Sequence, residues 1–112
     1  MFRAIRGSRR TNIGTIAAAG SVQGNATAIV NAVTIVTGAD DAKGVILPVP
    51  TAGDELFVYS NTATAGLKVY PPANGTINDG SANAAITIEG KTLAQFIATS
   101  TTNYASMFTA NS

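Results

Sequence analysis

The chain never sustains a helical period. Its apolar residues come in short runs, each broken within a few positions by glycine, proline, or an Asn-Gly or Asp-Gly pair. Val33-Thr-Ile-Val-Thr37 is β-branched throughout, which suits a pleated, half-buried surface. A polar turn with glycines at both ends follows, Gly38 to Gly44. Val45-Ile-Leu47 resumes the sheet and stops at Pro48 and Pro50, which cannot donate to a ladder. Glu55 to Ser60 alternates, with Leu56, Val58 and Ser60 on one face and Phe57 and Tyr59 on the other. Leu67 to Tyr70 alternates again and ends at Pro71-Pro72. Asn74-Gly75 and Asp79-Gly80 are turn pairs in which the glycines are expected at positive φ, with Ile77 between them tucked inward. Ala84 to Glu89 puts Ile86 and Ile88 on a common face. Leu93 to Ala98 is expected to hold Leu93 and Ile97 near the core, and Tyr104 to Thr109 forms a last strand. Thr27 to Val33 fits one helical turn or a strand, and the strand is preferred.

Seven or eight short strands at spacings of roughly 8–12 residues define the expected class. It is all-β, a single small antiparallel sandwich or barrel of jelly-roll type. No repeat of solenoid length is visible. Val58-Tyr59 and Val69-Tyr70 are placed as two arms of one hairpin. Residues 1–12 are expected to form a basic N-terminal arm, and residues 13–112 the β-rich domain.

The charge is divided accordingly. Arg3, Arg6, Arg9 and Arg10 are four of the seven basic residues, and no acid lies among them. The three lysines of the remainder face all six acids. A basic arm on a mildly acidic body points to a protein that clamps onto a larger partner. Charged residues make up only 12% of the chain, about half the usual share. So little charge on a small domain implies that part of its surface is covered, by copies of itself or by a partner. Phe57, Tyr59, Tyr70 and Tyr104 are the candidates for a subunit interface, since amphipathic rings are favoured there. A sugar-stacking platform is the alternative role for the tyrosines.

The chain is poor in the chemistry of catalysis. It has no Cys and no His, which removes thiolate nucleophiles, disulfides, the commonest general base and the commonest zinc ligand. No cofactor is expected. Asp40, Asp41 and Asp54 are acids of the hard-cation type, but their spacing matches no calcium loop, and solvated turn acids are the better reading. A carboxylate pair for glycoside hydrolysis is disfavoured, with neither Trp nor His to line or tune it. Glu89-Gly-Lys-Thr92 matches the end of a phosphate loop, but Ala85 stands where its first glycine belongs, so a turn is expected. Asn25-Ala-Thr27 and Asn74-Gly-Thr76 fit a glycosylation pattern that is common by chance. No apolar run is long enough for a membrane helix. Ile13 to Ala19 after the arginines imitates a secretory signal, but Asn12, Gly14 and Thr15 make it a weak one.

Residues 53–98 carry a resemblance. Gly53-Asp-Glu-Leu-Phe-Val-Tyr-Ser-Asn61 is followed by Leu67-Lys-Val-Tyr-Pro-Pro72, then Gly75-Thr-Ile-Asn78, Asn83-Ala-Ala-Ile-Thr-Ile88, Gly90-Lys91 and Phe96. This resembles a small β-rich module that recurs in virion proteins of tailed bacteriophages. Ser60 stands where the module usually has Asn, and Tyr104 where Trp is common. The resemblance implies a structural role without catalytic residues. A stand-alone module with a basic arm implies a head decoration (cement) protein on the outer capsid surface. It would be a homotrimer bound to the major capsid protein, with Arg3, Arg6, Arg9 and Arg10 as capsid contacts. No membrane and no specific nucleic acid would be among its partners. The alternative implied is a head-fibre or tail module that contacts host-surface glycans.

Overall fold

A computed structural model describes residues 12–108, and these are all-β. The strands are β1 (Ile13–Ala17), β2 (Thr27–Ala28), β3 (Val33–Thr37), β4 (Gly44–Ile46), β5 (Glu55–Ser60), β6 (Leu67–Tyr70), β7 (Thr76–Ile77), β8 (Ile86–Ile88), β9 (Thr92–Ala98) and β10 (Asn103–Phe108). One short 3-10 turn, Gln23–Asn25, interrupts them. Arg3, Arg6, Arg9 and Arg10 lie outside the described residues.

The strands form two sheets. The larger has the order β1-β3-β5-β9-β10-β7, and the smaller β2-β4-β6-β8. From β1 to β6 the chain alternates between the sheets and moves one rung along at each return. Ile13 pairs with Val33 and Val33 with Phe57 in the larger sheet; Thr27 pairs with Val45 and Val45 with Val69 in the smaller. All of these ladders are parallel. The winding then stops. β8 runs antiparallel to β6, β9 antiparallel to β5, and β10 antiparallel to β9. β7 closes the larger sheet beside β10, in parallel.

The all-β class and the small two-sheet domain are as expected from the sequence, but the pairing differs. Among the described residues, five of the eight ladders are parallel. Side-chain alternation is the same in parallel and antiparallel strands, so it carries no information about direction. Parallel neighbours need a long crossover, usually a helix; here the crossover is a strand of the opposite sheet. β5 and β6 are therefore not one hairpin, since they belong to different sheets. The winding also repeats in the backbone without repeating in sequence. Paired positions are 18 to 24 residues apart, too uneven to leave a period.

The core lies between the sheets. Val36, Leu56, Val58, Phe96 and Tyr104 come from the larger sheet, and Val45, Leu67, Val69 and Ile88 from the smaller. Ile29 and Leu47, from the connections, close its ends. Burying each such side chain is favourable by about 1.5–3 kcal/mol. Ile77 is buried as expected. Leu93 and Ile97 are not: they point outward, 38% and 41% exposed. Thr92, Ala94, Phe96 and Ala98 take the inner face. β9 has apolar residues on both faces, and the bulk of Phe96 decides which one goes in.

The turn glycines are also corrected. Positive φ falls on Asn74 (65°) and Asp79 (58°), not on Gly75 or Gly80. Gly75 N–H donates to Pro72 O at 2.7 Å with Asn74 in the third position, as a type II turn demands. Gly80 N–H donates to Ile77 O at 3.0 Å across Asn78 and Asp79, both at positive φ, as in type I′.

Candidate functional site

The outward face of the larger sheet is the most unusual surface of the molecule. Strand register assembles it in rows. Ile13, Val33, Phe57, Gln95 and Met107 stand side by side across five strands. Thr15, Ile35, Tyr59 and Leu93 form the next row, and Glu55, Ile97 and Ala105 a third. Alternation puts them outside because Leu56, Val58, Ala94, Phe96 and Tyr104 claim the inside. Ile13 is 61% exposed and Met107 65%. Phe57, Leu93, Gln95, Met107 and Phe108 surround a shallow groove of about 200 Å³.

Glu55 is the one charged residue in the strands of this sheet. Its carboxylate accepts a hydrogen bond from Gln95 Nε2 on the neighbouring strand, which keeps that charge engaged within the sheet. A surface with exposed Leu, Ile, Met and Phe and one carboxylate has the composition of an interface core, where charge is depleted and aromatics and Met are enriched.

The candidate interface residues divide. Phe57 and Tyr59 sit on this face, half-buried by their neighbours. Tyr104 is fully buried. Its hydroxyl donates to Pro48 O at 2.8 Å, and its ring meets Phe96 edge-on at 6.4 Å. Burial, and then the negative charge of Asp54, push the phenol up to about 12. Tyr70 is also buried; its hydroxyl donates to Ser21 O at 3.2 Å. Neither ring is available to another subunit: the strand phase that leaves Phe57 outside turns Tyr104 in, and the Ser21 segment covers Tyr70. Leu93 and Ile97 were expected near the core, and Met107 and Phe108 were assigned to neither face. The size of Phe96 on β9 is the signal that fixes the phase of Leu93, Ile97 and Met107; Phe108, in register with the inner residue Ala94, is exposed at the end of its strand.

The acids serve turns. Asp40 Oδ1 accepts from Lys43 N at 2.9 Å and from Ala42 N at 3.1 Å, and these bonds hold its carboxyl below the usual range. Asp41 Oδ1 accepts from Gly66 N at 2.7 Å, and Asp54 Oδ2 from Thr51 N at 2.8 Å. Among the described residues no three potential ligands converge on a metal position. Gly90-Lys91 is the turn between β8 and β9, with Lys91 Nζ donating to Asn61 Oδ1 at 2.6 Å. Among the described residues no helix is long and apolar enough to cross a membrane.

Comparison with protein-family models, curated proteins and solved structures returns no match to this chain.

Proposed function

We propose that this chain is a structural protein of a tailed-bacteriophage virion. In this reading it is a decoration protein that binds the outer surface of the major capsid lattice as a homotrimer and stabilises the head. The observation that carries a binding role is the weakly charged apolar face around Phe57, Leu93 and Met107. Such a surface gains by being covered. The resemblance of residues 53–98 to the virion module supports the location, and the four N-terminal arginines support the capsid as partner.

The mechanism is mechanical. Guanidinium forks of Arg3, Arg6, Arg9 and Arg10 pair with carboxylates of the capsid surface. Each exposed pair contributes about 0.2–1 kcal/mol. Four per chain in three linked chains give a high effective affinity, because each contact after the first forms within the same complex. Resistance to internal pressure comes from tying neighbouring capsid subunits together.

Two measurements test this. Mass quantification of purified particles should find hundreds of copies; a handful would favour the fibre or tail module that contacts host-surface glycans. Add-back to stripped particles should weaken when the four arginines are replaced by Ala. Raising salt should weaken the wild type in the same way, since exposed pairs are screened within roughly 8–10 Å. Equal occupancy by both proteins at every salt concentration would remove the arm from the mechanism.

A further inference from the structure

We propose that the outer face of the larger sheet is where this protein packs against another copy of itself, with Ile13 of one copy seated in the groove of the next. The proposal rests on the self-association in the reading above and assigns it a surface.

Charge argues for a copy of the same chain as the occupant. Among the described residues Glu55 is the single charge in the strands of this face, and it accepts from Gln95, so these strands offer little charge pattern with which to select a foreign partner. Two copies can nevertheless meet through it without bringing like charges together at its centre. The outer face of the smaller sheet differs. Lys68 stands on it, and the Ser21 segment already covers Tyr70.

Shape argues for the particular fit. Ile13 and the groove belong to the same register row, at opposite ends. Ile13 is on the edge strand and projects into solvent, whereas the groove lies over β5, β9 and β10. The separation is two to four strands, roughly 10–20 Å at about 4.8 Å per strand. A knob and a hole on one face cannot fill each other within one protomer, because the sheet between them is rigid. They can fill each other between copies, around a twofold or a threefold axis. One hole of about 200 Å³ is ample for an isoleucine side chain.

Area sets the strength. Five strands of about five residues give a face of roughly 24 by 17 Å, or on the order of 400 Å² in projection. Two such faces lie near the threshold of roughly 1,000 Å² for a specific interface once side-chain relief is counted. Association is therefore expected at micromolar concentration.

The experiment uses the purified full chain without capsids, so its outcome is independent of the virion reading. Sedimentation at about ten to a hundred micromolar should find oligomers of the wild type. Ile13→Asp and Leu93→Asp should each weaken self-association by about tenfold or more, with unchanged circular dichroism and melting, because both residues are exposed. Lys68→Asp should have no effect. Because the chain has no Cys, the double variant Ile13→Cys with Leu93→Cys should cross-link between copies on oxidation. Ile13→Cys with Lys68→Cys should not. A wild type that stays monomeric across this range overturns the proposal, as do oligomers indifferent to both aspartates. In either case the copy number in particles still decides the capsid reading.

Discussion

From Ile13 to Tyr70 the chain winds, and from Thr76 to Phe108 it folds back on itself. In the wound half, every strand pairs with one two places earlier or later in sequence, and a strand of the other sheet lies between them. In the second half, β8, β9 and β10 attach antiparallel, and short turns join β8 to β9 and β9 to β10. β5 and β6 are the seam. Each pairs in parallel with the wound half on one side and antiparallel with the folded-back half on the other. The difference teaches that this core is shared. The wound half leaves β5 and β6 each open on one side, and the second half covers both.

If so, the largest losses should come from residues through which the second half grips the first. Tyr104 reaches from β10 across to Pro48 O, and it is fully buried. Tyr104→Ala should destabilise by about 3–5 kcal/mol in urea unfolding, and Tyr104→Phe by about 1 kcal/mol for the hydrogen bond. Comparable, small losses in both would mean that the halves are held elsewhere. The same hydroxyl predicts a pH effect. Its folded value of about 12 lies above the unbound value of 10.0, so the folded state favours the neutral phenol. Stability is full below pH 10 and declines as pH rises toward 12. Tyr104→Phe should flatten that decline, and an unchanged alkaline profile in the variant would assign it to other groups.

Gly90 offers a second grip, from the β8–β9 turn onto the loop between β5 and β6. A Cβ there would overlap Thr62 O and come within 2.8 Å of Thr64 N. Gly90→Ala should cost about 2–3 kcal/mol, since backbone must move. Gly24, in the wound half, has nothing within 4 Å of an added Cβ. Gly24→Ala should change stability by less than about 0.5 kcal/mol. Equal melting shifts for the two would mean that the loop yields freely and the seam is not tight.

The same comparison explains what the sequence made legible. Most strands were readable in both halves, because alternation in Glu55–Ser60 and β-branching in Val33–Thr37 are local signals; β1 (Ile13–Ala17) was not, because the small and polar residues from 11 to 32 show no firm period. Pairing was not readable: the one hairpin assigned from the sequence joins strands of different sheets. In the wound half nothing local distinguishes β5 beside β3 from β5 beside β6, and the two Val-Tyr pairs misled for that reason. The open face was half legible. Phe57 and Tyr59 follow from alternation around Leu56 and Val58. Leu93, Ile97 and Met107 depend on which face of β9 and β10 turns inward, and that is settled by the volumes of Phe96 and Tyr104 in the assembled core. Tyr70 could not be placed from its own strand, since a loop 49 residues away covers it.

The turns of the second half give a smaller effect. Asp79 holds φ at 58° in the Ile77–Gly80 turn, while an added Cβ at Gly80 meets Ile77 O at 3.2 Å. Asp79→Val should therefore cost about 1–2 kcal/mol, because a β-branched residue is poorly tolerated at positive φ. Gly80→Val should cost about 1 kcal/mol or less, since the neighbour need yield only a few tenths of an ångström. Asp79→Gly should be near neutral. A larger loss at Gly80 than at Asp79 in thermal melting would reverse the assignment of the turn.

A small effect is expected at the seam, and its sign is the informative part. Ser60 ends β5 on the inner face, fully buried, beside Val36 of the wound half and Thr92 of the other. Among the described residues its Oγ finds no hydrogen-bond partner. Other buried polar groups of the second half do better. Asn103 Oδ1 accepts from Thr76 Oγ1 at 2.6 Å and from Asp79 N at 3.0 Å, and its Nδ2 donates to Thr99 Oγ1 at 2.7 Å. A buried hydroxyl without a partner costs its desolvation, roughly 1–3 kcal/mol, whereas deleting it leaves a void of a single oxygen. Ser60→Ala should therefore be neutral or stabilising by up to about 1 kcal/mol, an upward shift of at most about 4–8 °C in Tm for a domain of this size. Asn103→Ala should go the other way, since it strands the Asp79 N–H and leaves the Thr76 and Thr99 hydroxyls only their longer bonds to Thr102 O at 3.5 Å and Asn103 O at 3.4 Å. A loss of 1 kcal/mol or more on Ser60→Ala would mean that the hydroxyl is bonded through buried water. The junction between the two halves would then be a hydrated polar joint, and their packing would be less dry than the apolar neighbours of Ser60 imply.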